Sequence, residues 1–364
     1  MKKTPNQLSR VAIAYHPGDT LKEKLNELGM SIKEFSVRTS KPEKTIIAVI
    51  KGTSSITSEM AVSFESVTRI PAHFWMNKQR LYDEYQIRMK REQTILQSVS
   101  WMRRFPVKEM ANRGWIAACF SVEEKVDELF HFFGISTEKA WEDYYLNQEL
   151  KIAFRISLAH AKEPEAISAW LRKGELQAAE IELEAVYSDK LLRSNLMLMK
   201  QLMVDQPEDF YQKLQSLCSK SGIILINTKC LPKAPINGAT RWINDRPIIQ
   251  LSNRYNRYDM FWFNFFHELG HILLHGKKDI FLEEAGCMEV VRDKEAEADL
   301  FASNILLTKE QEAEIIAAHN YTLDGIKASA AKYSTHPSII VGRLQHLKEV
   351  KYWQDKELLP KIDI

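Results

Sequence analysis

Cysteine is scarce, and its placement argues against cross-linking. Cys119, Cys218, Cys230 and Cys287 are widely spaced and form no CxxC pair. In a chain of 364 residues this fits reduced thiols in a cytoplasm rather than a disulfide framework. Long apolar runs are missing too: none reaches the roughly 18 residues of a membrane-spanning helix. Lys2 and Lys3 are followed by no apolar h-region, so no signal peptide is expected, and no membrane partner. There is no internal repeat and no low-complexity tract. Neither sign of charge dominates: 50 basic and 48 acidic residues leave a net +2, which selects no class of partner.

The composition itself is that of an ordinary globular protein, 45% hydrophobic and 27% charged. The length predicts two or three domains, and the texture changes twice. Residues 1–85 read as short helices, with Leu21, Leu25 and Leu28 at helical spacing, Gly29 as a stop and Ser31 as an N-cap. Pro42 stands near the next helix start and Gly52 after its end. Residues 86–210 also read as helices, broken at "KEP" and "DQPED", and carry no chemical motif. Residues 211–364 mix both kinds of element. "GIILIN" (222–227) is a short apolar strand pattern, and "ATRWINDRPIIQLS" reads as a hairpin around Asn244, Asp245 and Arg246. The expectation is a mainly α protein with a small α+β part.

One stretch, "FWFNFFHELGHILLH" (261–275), sets polar residues in an almost wholly apolar helix. Such a helix is expected to be buried, and buried imidazoles and carboxylates are costly unless satisfied. His267 and His271 are four residues apart and share a helix face, so they can offer two nitrogens to one metal ion. Glu268 follows the first of them and can act as general base toward a water at that ion. This is the physical content of HExxH, and it predicts one Zn2+ per chain. The aromatic run 261–266 is read as core packing.

A third protein ligand is needed. His275 lies eight residues beyond His267, about 12 Å along an α-helix, and is read instead as a C-terminal histidine favoured by the helix dipole. The metzincin pattern, with a later third histidine, is absent. In "KEAEAD" (294–299), Glu295 and Asp299 lie one turn apart. Glu295 can ligate while Asp299 orients a ligand imidazole, and Glu297 faces elsewhere. His336 is a candidate stabiliser of a peptide oxyanion. Trp101, Arg103 and Arg104 are read as a solvated basic turn, and Cys287 is given no role.

"FWFNFFHELGHILLHG" followed by "EAEADLFASNILL" resembles the ImmA/IrrE family of zinc metallopeptidases. "INGATRWINDRPIIQLSNRY" and "THPSIIVGRLQ" resemble that family's flanks. The resemblance implies a gluzincin-type site on a zincin-like domain: His267, His271 and Glu295 as ligands, Glu268 as base, and Asp299 where the family has Asn or Asp. Residues 11–85 resemble the HigA-like, XRE-type helix-turn-helix antitoxins. Together the resemblances cover residues 11–85 and about 220–348. They imply a helix-turn-helix bundle (1–85), a helical middle region (86–210) and a metallopeptidase domain (211–364).

In a helix-turn-helix the second helix lays its N-terminal residues in the major groove. The candidate DNA contacts are Lys33, Lys41, Glu43, Lys44, Thr45 and Lys51. Residues 31–51 carry a net +3 and residues 1–85 a net +4, a modest electrostatic footprint. Ser40 stands where the antitoxins often have glycine, and must turn left-handed at a cost; Pro42 is acceptable at a first helical turn. The expectation is a zinc endopeptidase that binds an operator as a homodimer and cleaves a repressor or toxin-system protein. The alternative is a DNA-binding regulator or antitoxin whose zinc domain senses or scaffolds without cutting.

Overall fold

The computed structural model describes residues 13–146, 164–232, 236–252, 254, 256–276, 288–352, 356–362 and 364; Cys287 lies outside them. Among the described residues the protein is mainly helical with one three-stranded sheet. It divides into two compact units, Met1–Val99 and Ser100–Ile364. Among the described residues no helix is long and apolar enough to cross a membrane.

The first unit holds α1 (Pro17–Glu27), α2 (Ile32–Thr39), α3 (Glu43–Ile50), α4 (Ser58–Thr68) and α5 (Ala72–Gln97). The starts follow from side-chain caps. His16, Ser31 and Thr57 each accept a backbone N–H of the helix they open, while α3 starts on Pro42 with no such bond. Ser40 takes the left-handed conformation at φ 51°, and the Lys41 amide closes on the Ser36 carbonyl at 3.0 Å. Leu21, Leu25, Phe35, Ile46, Val49, Phe64 and Trp75 form one core. Phe35 and Phe64 lie 5.0 Å apart between ring centres, Phe64 and Trp75 5.8 Å. Each such side chain contributes roughly 1.5–3 kcal/mol by leaving water. The short helices read over residues 1–85 do not end there: α5 continues unbroken to Gln97, because "QIRMKREQTILQ" holds no glycine or proline to stop it.

The second unit opens within α6 (Val99–Met102) and continues with α7 (Val107–Asn112), α8 (Val122–Phe133), α9 (Glu138–Trp141), α10 (Pro164–Ala179), α11 (Asp189–Asp205) and α12 (Phe210–Lys220). Strands β1 (Ile224–Asn227), β2 (Gly238–Ile243) and β3 (Arg246–Leu251) follow. Then come α13 (Tyr258–Gly270), α14 (Met288–Leu306), α15 (Lys309–Ala318), α16 (Leu323–Lys332) and α17 (Pro337–His346). Trp101 is buried among Phe105, Phe130, Phe133 and Trp141 rather than sitting in a solvated turn, and Arg104 pairs with Glu138 and Glu165. The helical reading of 86–210, broken only at "KEP" and "DQPED", is interrupted at a further place: residues 181–188 leave the helix. Ile181, Leu183 and Ala185 lie against Ile224, Ile226 and Ile248 instead, so tertiary burial overrides local propensity.

The hairpin is present, with β2 antiparallel to β3 and a two-residue turn. Asn244 and Asp245 both have positive φ (50° and 66°), which is why short polar residues serve there. Strand β1 joins β3 in parallel, giving the order β1-β3-β2. Alternation along the strands divides the work between two faces. Leu225, Ile249, Leu251 and Thr240 face α13. Ile248, Gln250 and Arg241 face the other side, where α10 lies. There Gln250 donates to the Trp170 carbonyl (2.8 Å). Buried Arg241 donates to Glu175 (2.7 Å) and to the Leu171 carbonyl (2.9 Å). Helix α10 therefore builds the outer layer of the sheet whose inner layer is α13.

Candidate metal centre

Phe261, Trp262, Phe265, Phe266 and Leu269 place α13 in the largest core of the second unit. His267, Glu268 and His271 go in with them, exposed by 0%, 1% and 5%. At Gly270 the helix passes close to α14: a Cβ there would lie 3.2 Å from the Ala298 Cα and from Phe301. That approach sets Glu295, one turn before Ala298, opposite the two histidines. After Gly270 the helix widens into a π turn, His271–His275.

The donor atoms converge. His267 Nε2 and His271 Nε2 are 3.0 Å apart; Glu295 Oε2 is 3.2 Å from the first and Oε1 3.4 Å from the second. Four ligands around zinc at 2.0–2.1 Å would be separated by roughly 3.3 Å, so these spacings suit three corners of such a tetrahedron. Two ring nitrogens and a carboxylate with lone pairs aimed at one point also need a cation or a proton between them. His267 Nδ1 lies 2.8 Å from Asp299 Oδ1, which fixes the ring and leaves Nε2 as the electron-pair donor. Burial alone would raise the Glu295 carboxyl, but its bonds to His267 and His271 prevail and hold it at about 2. Among the described residues this cluster is the group capable of holding a metal ion.

Glu268 lies beside it on α13. Its Oε2 accepts the Thr240 hydroxyl at 2.8 Å; Oε1 is buried and has no hydrogen-bond partner among the described residues. Gly238 makes room for it, because a Cβ there would come within 2.6 Å of Oε1. Sequence reasoning missed Thr240 and Gly238. The hairpin pattern marks strands but not which face meets which helix. A threonine and a glycine two residues apart at the strand start were the available signal.

His336 is held away from this cluster. Its Nδ1 accepts the Ser338 amide as the N-cap of α17, its Nε2 lies 2.9 Å from the Gln206 side chain, and its ring rests 4.8 Å from Tyr258. Tyr258 is nine residues before His267, about 13 Å along the helix. Burial pushes His336 down to about 4. His275 is not a plain helix-end histidine: its Nδ1 lies 3.0 Å from His271 Nδ1 and its Nε2 3.0 Å from Glu297. Burial outweighs the pull of Glu297 and lowers His275 below its ordinary value. In the first unit Lys33, Glu43, Lys44 and Lys51 are exposed and Thr45 is half-buried. Lys41 is half-buried and ion-paired with Glu59.

Comparison with known proteins follows the same division. Residues 220–344 match the peptidase M78 family in its IrrE N-terminal-like domain. The chain is 30% identical over 66 residues to the uncharacterized HTH-type transcriptional regulator YddM of Escherichia coli (strain K12). That alignment covers 18% of this chain and 70% of that protein. An addiction module antidote protein of the HigA family from Coxiella burnetii is 28% identical, over 23% of this chain and 91% of its own, with a TM-score of 0.22. A candidate antidote protein of a plasmid maintenance system from Nostoc punctiforme PCC 73102 is 24% identical over 23% and 92%, with a TM-score of 0.23.

Proposed function

The chain belongs through its N-terminal part to the helix-turn-helix transcriptional regulators, and on that premise we propose that it is a zinc-dependent endopeptidase directed to transcription control. The carrying observation is the convergence of His267, His271 and Glu295 beside a buried carboxylate oxygen, Glu268 Oε1, that has no partner among the described residues. A structural scaffold needs the three ligands but has no use for that oxygen.

His267, His271 and Glu295 would hold the ion, and Asp299 orients His267. Zinc in such a set supplies Lewis acidity toward a peptide carbonyl. Thr240 pins Glu268 Oε2, so Oε1 is the atom left to take a proton from the attacking water and pass it to the leaving amine. Gly238 keeps the space in which Oε1 sits. The substrate we propose is a protein, a repressor or a toxin-system component.

In the same reading, residues 1–85 bind an operator as a homodimer. The second helix of the motif, α3, would enter the major groove, with Lys33, Glu43, Lys44, Thr45 and Lys51 available to DNA. Lys41 would first have to leave Glu59. Residues 211–364 carry the peptidase, and the region 86–210 lends it α10 as the outer layer of the sheet.

Two measurements test this. Elemental mass spectrometry of the purified chain should find one zinc in wild type and none in His267→Ala; a folded wild type that takes up no zinc when offered it overturns the peptidase reading. Cells expressing wild type and Glu268→Gln are then compared for new protein N-termini. Cleavage products present only with wild type identify the substrate. Identical sets, with the phenotype unchanged, favour a DNA-binding regulator whose metal domain does not cut.

A further inference from the structure

The two candidate ligand histidines are not supported alike. His267 meets a carboxylate directly, through Nδ1 and Asp299. His271 meets another imidazole, His275, which in turn meets Glu297. Hydrogen-bond logic leaves one arrangement of protons. To ligate through Nε2, neutral His271 carries its single proton on Nδ1. That proton points at His275 Nδ1, 3.0 Å away, which must accept it. His275 then carries its own proton on Nε2 and donates it to Glu297 Oε2, also at 3.0 Å. Every donor in the chain finds an acceptor, and no atom is asked to do both.

Burial adds to the case. The His275 side chain is 8% exposed, so it is held by its surroundings rather than swinging in solvent, while that of Glu297 is 62% exposed and anchors the outer end. The π turn begins at His271 and ends at His275, so both rings of the pair belong to the one widened turn. π turns of this kind recur at functional sites.

Resting on the zinc-site reading above, we infer that His275 is a positioning residue: with Glu297 it forms a carboxylate–imidazole relay that fixes the tautomer and orientation of His271 for metal binding. It does for His271 through two steps what Asp299 does for His267 in one. His275 itself takes no place on the ion.

The test is zinc affinity of the full chain, by competition with a chromogenic chelator, in wild type, His267→Ala, His275→Ala, His275→Gln, Glu297→Gln and the His275→Ala/Glu297→Gln double variant. Loss of an outer hydrogen-bond partner of a metal ligand typically costs about 10–100-fold in affinity, and His275→Ala is expected in that range. Gln can accept from His271 through its oxygen and donate to Glu297 through its amide, so His275→Gln should stay within several-fold of wild type. Glu297→Gln should lose less than His275→Ala. The double variant should be no weaker than His275→Ala, because Glu297 acts only through His275.

Affinity in His275→Ala within about twofold of wild type overturns the relay. So does a double variant that loses the product of the two single losses, which would make Glu297 an independent charge near the ion. If His275→Ala does not fold, as judged by the melting of the metal-free chain, His275→Leu keeps the volume without either hydrogen bond and replaces it. A wild type no better than His267→Ala removes the zinc site itself, and the relay with it; that outcome is distinct from a wild type that binds and a His275 series that does not change.

Discussion

Helices α3 and α13 carry the two candidate chemistries, and they put them in opposite places. On α3 the apolar residues Ile46 and Val49 go to the core, while Glu43 and Lys44 remain in water. On α13 the apolar residues and the chemistry are buried together: His267, Glu268 and His271 lie in the core with Trp262 and Phe265. An exposed charge is at home in water and needs no explanation, so α3 gives only a weak functional signal. A buried imidazole or carboxylate costs free energy unless its partners are supplied. On α13 the partners of the two imidazoles can be traced one by one, whereas Glu268 Oε1, like the Trp262 ring nitrogen, has none among the described residues; of these two atoms only the carboxylate oxygen can accept a proton, as the proposed chemistry requires.

The contrast can be broken by experiment, and the largest expected effect is at its centre. Glu268→Gln should lower cleavage by about 10²–10⁴-fold, the usual contribution of a general base, with zinc retained; equal cleavage by both proteins would mean that Oε1 does no chemistry. Next is a partly buried histidine outside the candidate metal centre. His336 protonates near 6.5 when unfolded but only near 4 in the fold, where burial opposes its charge. Its contribution to stability is therefore whole above about pH 6.5 and is lost as pH falls from there toward 4. Because His336 is partly exposed and solvent screens the effect, His336→Asn, which keeps an N-cap residue, should remove no more than on the order of 2 kcal/mol of that acid sensitivity, read as the pH dependence of urea unfolding. Unchanged pH dependence would show that other groups govern it.

A smaller effect tests the space around Oε1. Gly238→Ala places a Cβ where Glu268 sits and should lower cleavage by roughly tenfold, about 1.4 kcal/mol, with zinc content unchanged. Full activity would mean that the carboxylate has room to move. The smallest effect belongs to α3. Lys44→Ala should change stability by less than about 0.5 kcal/mol, as exposed substitutions usually do. It should still weaken operator DNA binding by about 1 kcal/mol or more, measured by titration at fixed salt. Equal DNA affinity would remove Lys44 from the interface.

The sequence alone determined the element types wherever local chemistry decides them. HELGH on an apolar helix, the Asn244–Asp245 turn, the caps at Ser31 and Thr57 and the left-handed turn at Ser40 all act within a few residues of themselves. Spacing also paired Glu295 with Asp299 on one face of α14, because i and i+4 meet on any helix. What the tertiary structure decided depends on elements distant in the chain. It set β2 against α13 so that Thr240 and Gly238 flank Glu268, and brought α10 from the middle region onto the sheet. It drew residues 181–188 out of a helical pattern, and it carried His336 to the far end of α13. It also widened the helix after Gly270 and set His275 between His271 and Glu297. The physical reason is one of range: hydrogen bonds within a turn are fixed by neighbours in sequence, whereas the face a strand presents and the partner a buried imidazole finds are fixed only when the core closes around them.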